Sequence, residues 1–318
     1  MEKEFIFPIH KLDLDVTKTL TLMYTAGIAD SLANNLDNVI EFTDLCGPIT
    51  IMSSIHKDSQ TGKSHVKLSA AFFQFLWMIS NVSIRMIDAH IVDDQRKAMS
   101  DKDKKVYAEY IKMMKGDTYA LLKEIDDIKQ VMQQTFEEFK QAVKLIDTQY
   151  DKDSVRVFEH FPYNTQYGLK TNSVCKFGIT YILLHEHAHY MLGHMEKQKI
   201  TIDEEIEADD SAFKAICSDI PDDQRFTAYV GILNALFSFV ILNPTFKKDD
   251  IHPQEYKRLL RIYERIKGEK YTILVVHFFK MWASYLNLHN FPDIPYNDEG
   301  VQQIKEYIEN TYLSSNNK

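Results

Sequence analysis

Cysteine is scarce in this chain: Cys46, Cys175 and Cys217 are the only three in 318 residues. They are odd in number, far apart and form no C-x-x-C pair, which argues against a disulfide framework and against a cysteine zinc site. The usage suits a reducing compartment. Proline and glycine are also few, at 8 and 10 residues. With hydrophobic residues at 45% and aromatics at 12%, that scarcity fits a globular protein rich in helix. Basic charge is in deficit, 37 Lys and Arg against 46 Asp and Glu for a net charge of -9. No long basic block offsets it, so no nucleic-acid partner is expected.

Long apolar runs are missing too. The N-terminal stretch MEKEFIFPIHKLDLD holds only a short apolar run between charges and lacks the hydrophobic region of a secretory signal. A cytoplasmic location is the expectation. The longest nearly apolar stretch, AYVGILNALFSFVIL at 228–242, falls short of the roughly 20 residues of a membrane span and contains Asn234 and Ser238. It reads as a buried core helix and not as a membrane contact.

Residues 38–69 carry the β signals: NVIEFTD, GPITIMSSI and SHVKLSA, separated by turn-prone LCGP and KDSQTGK. Ala70 to about Asp93 has no Pro or Gly and an apolar first half, which predicts a largely buried helix. From Asp94 the composition turns charged. Leu121, Ile125, Ile128, Met132, Phe136, Phe139, Val143 and Ile146 then form one stripe on a long amphipathic helix, preceded by a shorter helix at 102–114. Three parts follow: 1–93, sheet and buried helix; 94–150, a charged helical hairpin that is an insertion or regulatory arm; 151–318, the part that carries the metal-ligand motif. In the last part, helices are expected at about 172–192, 202–219, 222–242, 253–288 with a break at Gly268, and 299–312.

The chemistry concentrates at YILLHEHAHYMLGH, residues 181–194. His185, Glu186 and His189 form H-E-x-x-H. On a helix, positions i and i+4 share a face, so both imidazoles can reach one ion while Glu186 sits beside them. That arrangement suits Zn²⁺, which takes imidazole ligands, keeps a position open for water and acidifies it. Glu186 would act as general base, taking the proton of the attacking water and passing it to the leaving amine. His187 lies about 200° around from His185 and reads as a bystander.

With 12 histidines in the chain, random order gives roughly 0.03 such motifs, so a third ligand is needed for specificity. The metzincin pattern requires Gly at 192 and His at 195, where this chain has Leu192 and Met195. His194 misses by one residue and, on a continued helix, points nearly opposite His185; Gly193 reads as a helix C-terminal signal. A carboxylate from the next helix is the other solution. In TIDEEIEADDSAF, Thr201 and Glu204 have capping-box spacing, which places Glu205 on the first turns as ligand. Glu205 and Asp209 are i and i+4, and Ala208 and Ala212 on their face permit close approach to the first helix. Asp209 is then expected to accept a hydrogen bond from a ligand imidazole. His252 before Pro253, with Arg258 six residues on, are candidates for groups near a developing oxyanion.

Taken in order, H-E-x-x-H, E-x-x-A-D and H-P-x-x-x-x-R resemble the gluzincin-like metallopeptidases. The closer resemblance is to the phage-exclusion protease Lit family, extending from AAFFQFLWMISN through ILLHEHAHYMLGH and EEIEADDSAFKAI to IHPQEYKRLLRI. It implies an α+β, predominantly α-helical, zincin-like metallopeptidase with a small N-terminal sheet. His185, His189 and Glu205 would be the metal ligands, Glu186 the base, and Asp209, His252 and Arg258 supporting residues. It also implies a protein substrate, elongation factor Tu, and a phage-derived peptide as activator. Two other readings stand beside it: a catalytically silent zinc-containing binding protein, and a zinc amidohydrolase acting on a non-protein amide.

Overall fold

The computed structural model describes residues 36–43, 53–57, 64–98, 100, 133, 135–140, 143, 166–194, 200–244, 246 and 254–313. The expected helix at 102–114, most of the long amphipathic helix after it, and His252 lie outside the described residues.

Three short strands come first: β1 (Leu36–Thr43), β2 (Ser53–Lys57) and β3 (Ser64–Ser69). β3 is central, parallel to β1 and antiparallel to β2, with Ile55 opposite Val66 in the second pairing. It leads directly into helix α1 (Ala70–Ala98), which runs past its expected end at Asp93 and across the 93/94 division. Phe73, Phe75, Leu76, Trp77 and Ile79 are fully buried on α1.

The remaining described elements are helical, as the composition predicts: α2 (Gln166–Met191), α3 (Ile202–Asp219), α4 (Asp222–Leu242), α5 (Glu255–Ile266), α6 (Glu269–Tyr285) and α7 (Asp298–Tyr307), the last running into a π-helical turn at Ile308–Tyr312. The break at Gly268 falls where the sequence puts it, between α5 and α6. Residues 135–140 are also helical, and Phe139 and Val143 are buried in the common core, Phe139 stacking on Phe237.

α4 is the centre of the helical layer and packs on α1, α2, α3, α5 and α6. It is long and apolar enough to cross a membrane. Its stretch Val230–Ile241 is nevertheless buried without interruption against the other helices, as a core helix apolar on every side requires. The two polar residues in it are satisfied internally. Asn234 Oδ1 accepts from Ser83 Oγ on α1 at 2.8 Å, and Ser238 Oγ donates to the Asn234 carbonyl at 2.8 Å.

Glycine fixes how deeply α2 sits. A Cβ on Gly231 of α4 would lie 2.5 Å from the Val174 carbonyl oxygen and 2.9 Å from Gly178 N, and one on Gly178 would lie 2.9 Å from the Gly231 carbonyl oxygen. The two backbones therefore cross where neither residue has a side chain. α2 is in this way held on α4 along one side, while α3 and strand β2 pack elsewhere on it.

Candidate metal centre

His185 and His189 occupy successive turns of α2, and both rings are buried, at 8% and 2% exposure. The partner carboxylate comes from α3. Its start is set by a reciprocal capping box: the Thr201 hydroxyl accepts from Glu204 N–H, and the Glu204 carboxylate accepts from Thr201 N–H at 2.8 Å. Glu204 is thereby occupied, and Glu205 falls in the first turn, where the helix dipole favours an anion. Ala208 and Ala212 are buried on α3, so small side chains let the two helices approach.

The result is a triangle of three side chains. His185 Nε2 and His189 Nε2 are 3.2 Å apart, Glu205 Oε2 lies 3.3 Å from the first and Glu205 Oε1 3.3 Å from the second, so the two ends of the carboxylate face one ring each. Tetrahedral ligands at the ~2.0–2.1 Å typical of zinc–nitrogen and zinc–oxygen bonds are about 3.3–3.4 Å apart. Donor chemistry and spacing both fit a divalent ion such as zinc. Among the described residues these three form the group able to hold one.

Behind the triangle lies a buried network centred on Asp209, one turn after Glu205. Arg258 of α5 donates to both its oxygens, Nε to Oδ2 at 2.8 Å and a terminal nitrogen to Oδ1 at 2.7 Å. The Tyr181 hydroxyl donates to Oδ1 at 2.7 Å. His185 Nδ1 is 3.0 Å from Oδ1, close enough to pair, although its ring N–H does not point along that line. Burial pushes the Asp209 carboxyl up, but the Arg258 charge and the His185 contact outweigh it and hold it well below the usual carboxylate range. Glu205 behaves likewise: burial raises it, and the hydrogen bonds from His185 and His189 bring it far down. For His185, burial favours the neutral ring, yet Asp209 and Glu205 together push its pKa up to about 9 in the metal-free protein.

Arg258 thus stands differently from its expected place beside a developing oxyanion. It is buried at 8% exposure, its fork is engaged on Asp209, and its other terminal nitrogen is 3.9 Å from Glu205. It props the ligand sphere from behind. Glu186 is half-buried next to the two histidines. His187 is buried, its Nε2 has no hydrogen-bond partner among the described residues, and burial lowers its pKa.

His194 departs furthest from the sequence reading, which points it away from the site. α2 ends at Met191, and Gly193 with φ of 74° reverses the chain, so helical projection no longer applies. His194 comes back against the helix, 3% exposed, with Nδ1 3.0 Å from His189 Nδ1 and Nε2 3.3 Å from Glu207. Tyr181 is the other contributor missed. It reads as one more apolar residue at helical spacing, but it stands one turn before His185, and a hydroxyl at that position was the available signal.

No curated protein and no solved structure matches the chain. A family model described as Peptidase U49 matches residues 66–278, about two thirds of the chain and a span that takes in every residue of the triangle and of the Asp209 network. The chain belongs to the Peptidase U49 family.

Proposed function

We propose that this peptidase is a zinc-dependent endopeptidase of the gluzincin type, zincin-like in architecture, acting on a protein substrate in the cytoplasm. The observation that carries the reading is the buried triangle of His185, His189 and Glu205, in which the two Nε2 atoms are 3.2 Å apart and each has a Glu205 oxygen at 3.3 Å, separations close to those between ligands of a tetrahedral zinc. Two histidines and one glutamate are a ligand set that catalytic zinc sites use, with the fourth position taken by water or substrate, which favours catalysis over a structural site.

Zinc held there would polarise a peptide carbonyl and acidify water. Glu186, beside the ligands but not among them, takes the proton of the attacking water and returns it to the departing amide nitrogen. Asp209, held by Tyr181 and Arg258, sets a negative charge 3.0 Å behind the Nδ1 of His185. β2 is an edge strand of the sheet and contacts the helix that bears both histidines, so an extended peptide is suited to pair along that edge. On the resemblance to the Lit family, the substrate is a translation factor such as elongation factor Tu and the trigger a phage-derived peptide.

Purified protein should hold about one zinc per chain. Glu186→Gln should keep the metal and lose cleavage, while Glu205→Ala should lose the metal. New protein N-termini in a lysate treated with wild type, compared with Glu186→Gln, identify the substrate and test elongation factor Tu directly. Proteolysis retained in a verified Glu186→Gln protein would sink the mechanism.

A further inference from the structure

We infer that His194 and Glu207 are positioning residues for the second histidine ligand, holding His189 in the tautomer that leaves its Nε2 free for the metal, an assignment that rests on the zinc reading above. The three side chains form a row. His189 Nε2 lies in the triangle, its Nδ1 is 3.0 Å from His194 Nδ1, and His194 Nε2 is 3.3 Å from Glu207 Oε2.

A neutral imidazole has one N–H and one lone pair, on different nitrogens. For Nε2 of His189 to offer its lone pair to a metal, its proton must sit on Nδ1. His194 Nδ1 must then be the acceptor, which puts the His194 proton on Nε2, directed at the Glu207 carboxylate. Every proton in the row is assigned by that one requirement. The row starts at a buried ligand and ends at a carboxylate whose side chain is 60% exposed.

Each ligand ring consequently has its own group behind it, and the two groups differ. His185 has Asp209, an anion locked to Arg258 inside the protein. His189 has a neutral ring, which fixes the tautomer without adding a second buried charge. The turn at Gly193 delivers that ring. Nothing lies within 4 Å of where a Cβ would stand at Gly193, so the requirement is for its φ of +74° and not for space.

The test is a zinc affinity series by competition with a chromophoric chelator, on wild type, His189→Ala, His194→Ala, His194→Asn and Glu207→Gln, with the thermal midpoint of each metal-free protein recorded. His194→Ala should weaken zinc about 10–100-fold, the usual effect of removing a partner behind a ligand. His194→Asn should recover most of the loss, because its carbonyl oxygen replaces Nδ1 as acceptor. Glu207→Gln should show a smaller loss. Nitrogen NMR of the zinc-loaded protein should find the His189 proton on Nδ1. If His194→Ala does not fold, His194→Asn, Glu207→Gln and the NMR signature decide the matter.

Unchanged zinc affinity in the His194 variants, with His189→Ala losing the metal, overturns the positioning role and leaves the zinc site standing. Loss in His194→Asn as complete as in His189→Ala, with an altered cobalt spectrum, makes His194 a direct ligand and overturns it as well. A wild-type protein that takes up no zinc overturns the zinc reading, and the positioning role falls with it.

Discussion

Arg258→Met separates two roles that predict different losses. A group facing an oxyanion would cost turnover and leave folding alone. The arginine in the structure instead makes two charge-assisted hydrogen bonds, at 2.7 and 2.8 Å, to an aspartate that is 3% exposed. Removing one member of such a buried pair costs about 3–5 kcal/mol, because the other charge is left stranded. Asp209 keeps the Tyr181 hydroxyl at 2.7 Å and its contact with His185. That residual compensation puts the expectation at the lower end, about 3 kcal/mol. Urea unfolding of the metal-free protein, followed by helical circular dichroism, measures it. Asp209→Asn combined with Arg258→Met removes both charges, so the double variant should be less destabilised than the sum of the singles by more than about 0.5 kcal/mol, the limit for independent sites. Additive losses, or an unchanged unfolding midpoint together with lost turnover, would refute the clamp and return Arg258 to the reacting groups.

Gly231→Ala tests the crossing that seats α2. On an exposed helix the change would stabilise by about 1 kcal/mol, but here the new Cβ meets two backbone atoms and the Phe177 Cβ within 3 Å. Backbone cannot rotate away, so a net loss of about 1–3 kcal/mol is expected, and a raised urea midpoint would contradict the close approach. Zinc uptake should also release protons. The His185 pKa of about 9 in the metal-free site, against an ordinary 6.5, means the ring is protonated at pH 7 and must lose that proton to become a ligand. About one proton per ion should leave His185 at pH 7 and almost none well above pH 9, as calorimetry in buffers of different ionisation enthalpy can measure. The same raised value stabilises the metal-free fold below pH 6.5, and that contribution disappears as pH rises through about 9.

Where the chain carries local signals, the sequence predicts the elements closely. Thr201 and Glu204 start α3 at Ile202, and Pro221 precedes α4, because capping and proline geometry are settled within a few residues of sequence. The start of α2 is less legible. Proline, glycine and asparagine in HFPYNTQYGLK suggest a loop up to about residue 171, yet the helix begins at Gln166. Contacts from α1 hold these first turns: Trp77 donates to Asn172, Asn81 donates to Thr171, and Lys170 pairs with Asp88. Partners some 82–95 residues away in sequence cannot be read from local pattern.

The candidate site divides along the same line. His185, His189 and Glu205 are legible because a helix converts spacing into direction, and two helices with a small-residue face have few ways to meet. Arg258 is recognisable as a supporting residue, but its direction depends on how α5 packs on α3, and that packing turns it onto Asp209. His194 fails for a sharper reason. Extending the wheel of α2 past Met191 sends it to the far side of the helix, whereas one glycine in the left-handed region brings it back to His189. The same Gly193 that reads correctly as a helix terminator therefore invalidates every helical projection beyond it, and a histidine just after such a glycine has to be considered for the site that the helix carries.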